Sequence, residues 1–337
     1  MRQLQFSGYG PLKEVLQFSE VETPEVGDHD VRIRIAAASI NPIDYKMVSG
    51  ALRQIQKLKL PSPLGFDCCG EVDAVGSAVT RFRVGDRVYT RLPRGRVGSF
   101  AELTIVDEKF VAPAPSGLTA VECASLPLVS LTTMQGLVDR AEAQPSQTIL
   151  IHAGSGGVGS IAVQYAKNVL GLHVTTTASS RNVDWVRELG ADEVIPYDSK
   201  NYLGDPIRYD IVYDTLGGKT TYDSFNVVKR GGKVVSIMGP PGMEFARQMG
   251  VGPILTFAIW MMGRKIRKLA KEKPARYFYY FTESSGAQLE HMAKVVEDGK
   301  VRPVIDSVFP FEKAIDALEH AHEGHTRGKV VIQMLPE

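Results

Sequence analysis

The stretch QTILIHAGSGGVGSIAVQYAKNVLG, from Gln147 to Gly171, constrains the fold more than any other. A compact apolar run of strand type meets Gly154-x-Gly156-x-x-Gly159, and a segment with helical spacing follows at once. Such a glycine pattern is weak by itself and strong between a strand and a helix. The glycines permit a tight turn and let the backbone approach a pyrophosphate. The helix start then offers unpaired amides and the positive end of its dipole. Gly154, Ser155, Gly156, Gly157, Val158 and Gly159 are therefore candidate nucleotide-binding residues.

The pattern around this loop is consistent with that reading. Downstream, HVTTTAS, DEVIPY, YDIVYDTLGG and GGKVVSIMG read as strands, with VDWVRELG a helix among them. Strands alternating with helices predict right-handed crossovers and a doubly wound parallel sheet, an α/β fold. Upstream, short segments such as DVRIRIAAASI, GEVDAVG and VGDRVYT alternate like strands between turn residues, predicting a β-rich, barrel-like domain. Near the end, PFEKAIDALEHAHEG has one apolar helical face with Gly324 placed to cap it, and GKVVIQM reads as a last strand. The expected division is a β-rich domain over 1–120 and 278–337, and a nucleotide-binding domain over 121–277 with a helical insert at about 242–276.

The end of the second strand of the α/β domain bears on the choice of cofactor. NAD-preferring folds carry an acid there for the ribose hydroxyls. Here the strand ends TTTASSRN, without one. Ser179, Ser180 and Arg181 offer hydroxyls and a guanidinium suited to a 2′-phosphate, which predicts NADPH.

Charge and composition exclude some partners. With 39 basic and 38 acidic residues, the chain has no electrostatic case for nucleic acid. Three cysteines make no disulfide framework, and MRQLQFSGYGP lacks the apolar core of a signal peptide, which predicts a cytoplasmic protein. The longest apolar run, VGPILTFAIWMM, is shorter than the roughly 20 residues a membrane span needs. Followed by GRKIRKLAKEK, it makes 250–273 a candidate lid, dimer surface or membrane-surface helix, or simply a pocket-side helix with a solvated basic tail. His320, His322 and His325 fall at a helix C-terminus, where they suit the dipole and solvent better than a metal.

Taken in order, INPIDYKMVSG, LGFDCCGEVDAVG, FRVGDRVYT, GSFAEL, HAGSGGVGS, YDIVYDTLGG and GHTRGKVVI resemble the medium-chain dehydrogenase/reductase superfamily over essentially the whole chain. The resemblance implies a GroES-like catalytic domain beside a Rossmann domain. Within the superfamily the chain is similar to the zinc-independent quinone oxidoreductase and alkenal/enone reductase branch. YFYYFTESSGAQLEHMAKVVEDGKVRPVIDSVFPFEKA is similar to the reticulon-interacting oxidoreductase group. Relatives that use zinc draw ligands from the segment matching Asn41 to Lys46, from the residue after Gly65, and from near Leu128. Here those places hold NPIDYK, Phe66 and PLVS, and Phe66 cannot ligate a metal. No metal is expected, and Cys68 and Cys69 read as small hydrophobes in a buried strand.

The resemblance further implies that Tyr197 contacts the adenosine phosphate, and that Thr215, Gly217 and Ile237 to Gly239 run along the cofactor. It places Tyr277 to Phe281 beside the nicotinamide, although those rings also suit an ordinary buried strand. Relatives of this kind are often homodimers. Without a metal, hydrogen-bond donors must stabilise developing oxygen charge, and Lys46, Asn41 and Tyr45 are the candidates. The competing reading is an Asn41-Pro42 turn with a surface pair of Asp44 and Lys46. The expected activity is NADPH-dependent hydride transfer to a quinone or to the C=C bond of an α,β-unsaturated aldehyde or ketone. A non-catalytic NADPH-binding interaction protein and a zinc alcohol dehydrogenase are the alternatives.

Overall fold

The computed structural model describes residues 1–53, 58–204, 208–324 and 326–335. Two units emerge, Met1–Leu131 with Glu283–Glu337 and Thr132–Thr282. These boundaries fall 11 and 5 residues after the expected 120/121 and 277/278. One reason is that the helix Ala120–Ala124 packs on strands Asp30–Ser39 and Asp67–Val75 of the first unit. The other is that Arg276–Tyr279 forms the sixth strand of the second unit's sheet.

In the first unit the strand Asp30–Ser39 buries Val31, Ile33 and Ile35 while Arg32 and Arg34 point outward, as a period of two requires. It pairs antiparallel with Lys329–Gln333, Asp67–Val75 and Leu103–Asp107. Asp67–Val75 pairs in turn with Arg87–Arg91. Cys68 and Cys69 lie in Asp67–Val75, fully buried, as the sequence predicted. Across these ladders Asp67 stands opposite Ser39 on one side and Arg91 on the other. Gly324 caps the helix Ala314–Glu323 in the left-handed region, also as predicted.

The second unit is a six-stranded parallel sheet. Its order runs Glu193–Pro196, His173–Ala178, Thr148–Ile151, Tyr209–Asp214, Val228–Ser236, Arg276–Tyr279. Chain order reverses between Thr148–Ile151 and Tyr209–Asp214, so a ligand crevice belongs beyond the carboxyl ends of those two strands. The glycine loop leaves the sheet there. No helix among the described residues is long and apolar enough to cross a membrane.

Two glycines of the loop answer to different needs. A Cβ on Gly159 would lie 2.0 Å from the carbonyl oxygen of Ala153, because helix and loop touch there. A Cβ on Gly156 would meet nothing nearer than 3.5 Å. Gly159→Ala is therefore expected to cost about 2–3 kcal/mol in denaturant unfolding. Gly156→Ala should stay within about 0.5 kcal/mol of the parent. Equal losses would contradict this division of roles.

Candidate active site and nucleotide cradle

Packing does not demand the glycine at 156, so the missing side chain leaves room above the loop. The helix Gly157–Asn168 begins there with no side chain capping it. The first amides of a helix have no partner within it, which suits an anionic diphosphate. Ala153 holds the loop at φ 55°, and Thr177 Oγ1 accepts its N–H at 3.1 Å. Ser155, Gly157 and Val158 are half-buried along the loop. These residues fit a dinucleotide.

The two further loops expected to run along the cofactor are wired to one acid that the sequence reading missed. Asp214, fully buried at the end of its strand, accepts the N–H groups of Leu216 (3.1 Å) and Gly217 (2.9 Å). It also accepts the hydroxyls of Ser236 (2.8 Å) and Thr221. Ser236 Oγ in turn accepts the Gly239 N–H at 2.8 Å. Thr215 donates its hydroxyl to the carbonyl of His152 at 2.7 Å, and Ile237 donates its N–H to the carbonyl of Asp214 at 3.1 Å. Thr215, Gly217, Ile237 and Gly239 are thus set by one hydrogen-bonded frame. Tyr277 donates to the Pro240 carbonyl at 2.9 Å beside it.

At the end of the second strand, Ser179 has a buried hydroxyl without a partner among the described residues. Arg181 and Tyr197 are exposed. Ser180 is engaged: its N–H and hydroxyl both donate to Asp198, at 3.0 and 2.5 Å. Those bonds hold the Asp198 carboxyl below the usual range. The strand His173–Ala178 supplies no acid, as read from the sequence. Its parallel neighbour does, because Ala178 stands opposite Pro196 and the chain then carries Asp198 to Ser180.

In the first unit, Asp67 follows Phe66 in the chain and bonds residues from two other stretches, Asn41 and Leu128. Its Oδ2 accepts from the Asn41 amide (2.9 Å), the Leu128 N–H (3.1 Å) and the Ser39 hydroxyl (3.4 Å). Lys329 Nζ sits 4.0 Å from the same oxygen and donates to the Ile40 carbonyl at 2.6 Å and to Asn41 Oδ1. Burial pushes the Asp67 carboxyl up and the Lys329 amine down, both toward neutrality. Three donors on Asp67 Oδ2 and two neutral acceptors on Lys329 work the other way. Arg91, also buried, lies 5.3 Å over the Phe66 ring and donates to Ser284 at 2.9 Å.

This arrangement corrects the expected role of Asn41. Its amide hydrogens are directed to Asp67 and the Ser39 carbonyl, and its oxygen accepts from Lys329. None is left over for a substrate oxygen. Asn41 instead starts the helix Pro42–Val48, where its N–H donates to Asp44 at 2.7 Å. Asp44 is fully buried and so is not a surface charge. Burial pushes its carboxyl up to about 8.

Lys46 and Tyr45 are both half-buried on that helix. Burial lowers the Lys46 ammonium and raises the Tyr45 phenol, so Tyr45 keeps its proton through neutral pH. The Tyr45 ring packs 4.8 Å from that of His322, while His320 bonds Asp306 at 2.9 Å. His325 lies outside the described residues.

Comparisons with known proteins agree with this geometry. Residues 27–116 match the alcohol dehydrogenase GroES-like domain, and residues 189–332 match the zinc-binding dehydrogenase family. The chloroplastic NADPH-dependent alkenal/one oxidoreductase of Arabidopsis thaliana is 34% identical over 98% of this chain and 79% of its own. The chain belongs to the quinone and alkenal/one oxidoreductase branch of the medium-chain dehydrogenase/reductase superfamily. A quinone oxidoreductase from Coxiella burnetii superposes with a TM-score of 0.86 at 34% identity, covering 99% of each chain. The mitochondrial NAD(P)H oxidoreductase RTN4IP1 of Danio rerio is 31% identical over 92% of this chain and 84% of its own.

Two consequences follow from membership. The expected cytoplasmic location is overturned, since the Arabidopsis relative is named as chloroplastic and the Danio relative as mitochondrial. The three buried free thiols give no address. The family name also implies zinc, and the residues present do not fit it. Phe66 has no donor atom, Asn41 is spent on Asp67 and Lys329, and Leu128 offers only its backbone. Burial raises the Cys68 thiol, a hydrogen bond with Cys123 and then burial raise that of Cys69, and no group of three ligating side chains gathers among the described residues.

The segment 250–273 forms two helices. Pro253–Met262 exposes Ile254, Phe257, Trp260, Met261 and Met262, and Arg264–Glu272 carries five basic residues and one acid. Arg267 lies 4.7 Å over the Trp260 ring.

Asp44 supplies a pH test. Its carboxyl titrates higher folded than unfolded, so the folded state binds more protons between about pH 4 and about pH 8. Unfolding free energy should fall as pH rises through that window. Asp44→Asn, which keeps an acceptor for the Asn41 N–H, should lose the slope. Relative to the parent it should gain at least about 1 kcal/mol between pH 5 and pH 8. An unchanged difference at the two pH values would contradict a protonated Asp44.

Proposed function

We propose that the chain reduces quinones and the C=C bond of α,β-unsaturated aldehydes and ketones with NADPH, and does so without a metal. The observation that supports the metal-free part is that Asp67 bonds Asn41 and Leu128 and pairs with Lys329, in the stretches where the resemblance puts the metal ligands of zinc-using relatives. The names of the Arabidopsis and Coxiella relatives support the acceptor and cofactor classes.

When bound, NADPH supplies a hydride. The chain's own residues do the rest. The loop Gly154 to Gly159 holds the diphosphate with backbone amides. Ser179, Ser180, Arg181 and Tyr197 take the adenosine end, and the loops at Thr215 and at Ile237 to Gly239 flank the remainder. As negative charge grows on the acceptor oxygen, Lys46 donates a hydrogen bond to it and stabilises the enolate or hydroquinone anion. A proton for the α-carbon then comes from Tyr45 or from water. Lys46 suits this role because partial burial limits competing water and strengthens the hydrogen bond its ammonium makes, at the cost of a lowered pKa. Asn41 acts behind it, fixing where the Pro42–Val48 helix starts.

Following NADPH absorbance across a panel of quinones and enals tests the reading. Lys46→Ala should lower kcat/KM by about 10²-fold while leaving the NADPH Kd unchanged. The parent rate should fall on the alkaline side, because the ammonium is the active form. Its midpoint should lie below the ordinary lysine range, and Lys46→Arg should move that limb upward. A Lys46→Ala enzyme as active as the parent would remove Lys46 from the mechanism. No turnover with any acceptor would favour a non-catalytic NADPH-binding protein.

A further inference from the structure

Ser180 stands where the proposed function puts the 2′-phosphate of NADPH, yet its donors are already occupied. Its N–H reaches both Asp198 oxygens, at 3.2 and 3.0 Å, and its hydroxyl reaches Asp198 Oδ1 at 2.5 Å. A second hydroxyl, Ser199 Oγ, lies 3.5 Å from Ser180 Oγ. These donors, one amide and one hydroxyl on an exposed residue, are the kind a phosphate oxygen would use. A carboxylate sits on them instead.

We propose that Asp198 is a specificity residue that competes with the 2′-phosphate for Ser180 and holds down the preference for NADPH over NADH. The proposal rests on the reading of Ser180 as a ribose-end residue. NADH carries a 2′-hydroxyl, which can donate to a carboxylate, as in nucleotide folds with an acid at this end. NADPH carries a dianion there, which Asp198 repels until it swings off Ser180. The sheet makes this possible without an acid on the second strand. Parallel pairing of Ala178 with Pro196, and the Tyr197 N–H donated to the Ala178 carbonyl at 3.0 Å, bring Asp198 across from the third. The low carboxyl titration of Asp198 agrees, since it stays ionised and repulsive through the physiological range.

The two cofactors differ only in that phosphate, so each reports on the other. Kd values for NADPH and NADH, from fluorescence titration of the parent, Asp198→Asn and Ser180→Ala, decide the matter. Asp198→Asn keeps an acceptor for Ser180 while removing the charge. It should tighten NADPH on the order of tenfold and leave NADH unchanged or weaker. Ser180→Ala should weaken NADPH and spare NADH. If Ser180→Ala behaves so and Asp198→Asn leaves the NADPH/NADH ratio within about twofold of the parent, the competition is overturned and the ribose-end reading stands. If Asp198→Asn weakens both cofactors together, Asp198 only braces the turn and the proposal fails. If Ser180→Ala leaves NADPH binding unchanged, the reading of Ser180 fails and the proposal with it. Asp198→Ser repeats the test with a smaller side chain, so a folding defect peculiar to asparagine cannot hide the ratio.

Discussion

The carboxylate of Asp67 is the contact on which the catalytic unit depends. It ties together residues 26 to 61 positions apart through Ser39, Asn41 and Leu128, with Lys329 balancing its charge. A buried ion pair of this kind contributes little net stability, because desolvation offsets most of the attraction. Its value is register. Removing either partner would leave a buried charge alone, which costs several kcal/mol, so alternative arrangements of these segments are strongly disfavoured. Asn41, held from both sides, then sets the first turn of Pro42–Val48, and that helix carries Tyr45 and Lys46.

The nucleotide unit applies the same economy with neutral groups. Asp214 gathers backbone and hydroxyl donors from two loops, so Thr215, Gly217 and Gly239 hold their places without a ligand. The glycine loop is held from below by close packing at Gly159 and left open above at Gly156. A rigid floor with an open face is what a diphosphate site requires.

What could be read from the sequence was what neighbouring residues decide. The glycine loop, its flanking strand and helix, the burial of Cys68 and Cys69 and the Gly324 cap all depend on a few consecutive residues. The Asp67 network depends on strand register and on a lysine near the chain end, and no local pattern announces either. For that reason Asn41 looked like a free donor and Asp44 like a surface charge, when packing made one a linker and the other a buried acid. Asp198 escaped because the rule for ribose acids looks along the second strand, whereas a parallel sheet can deliver a side chain from the third. The domain boundaries shifted because Arg276–Tyr279 completes the sheet of the nucleotide unit, a pairing that four aromatic-rich residues do not reveal. The compartment was misread because free thiols report redox state and not address.

The central claim is that protein donors, and no Lewis acid, meet the oxygen charge. Its most direct test is to remove all metal with a strong chelator, quantify zinc, and measure enone and quinone reduction on the same sample. Metal-free catalysis predicts well under one zinc per chain before treatment and an unchanged rate after it. A rate that collapses on chelation and returns with one equivalent of zinc would contradict it.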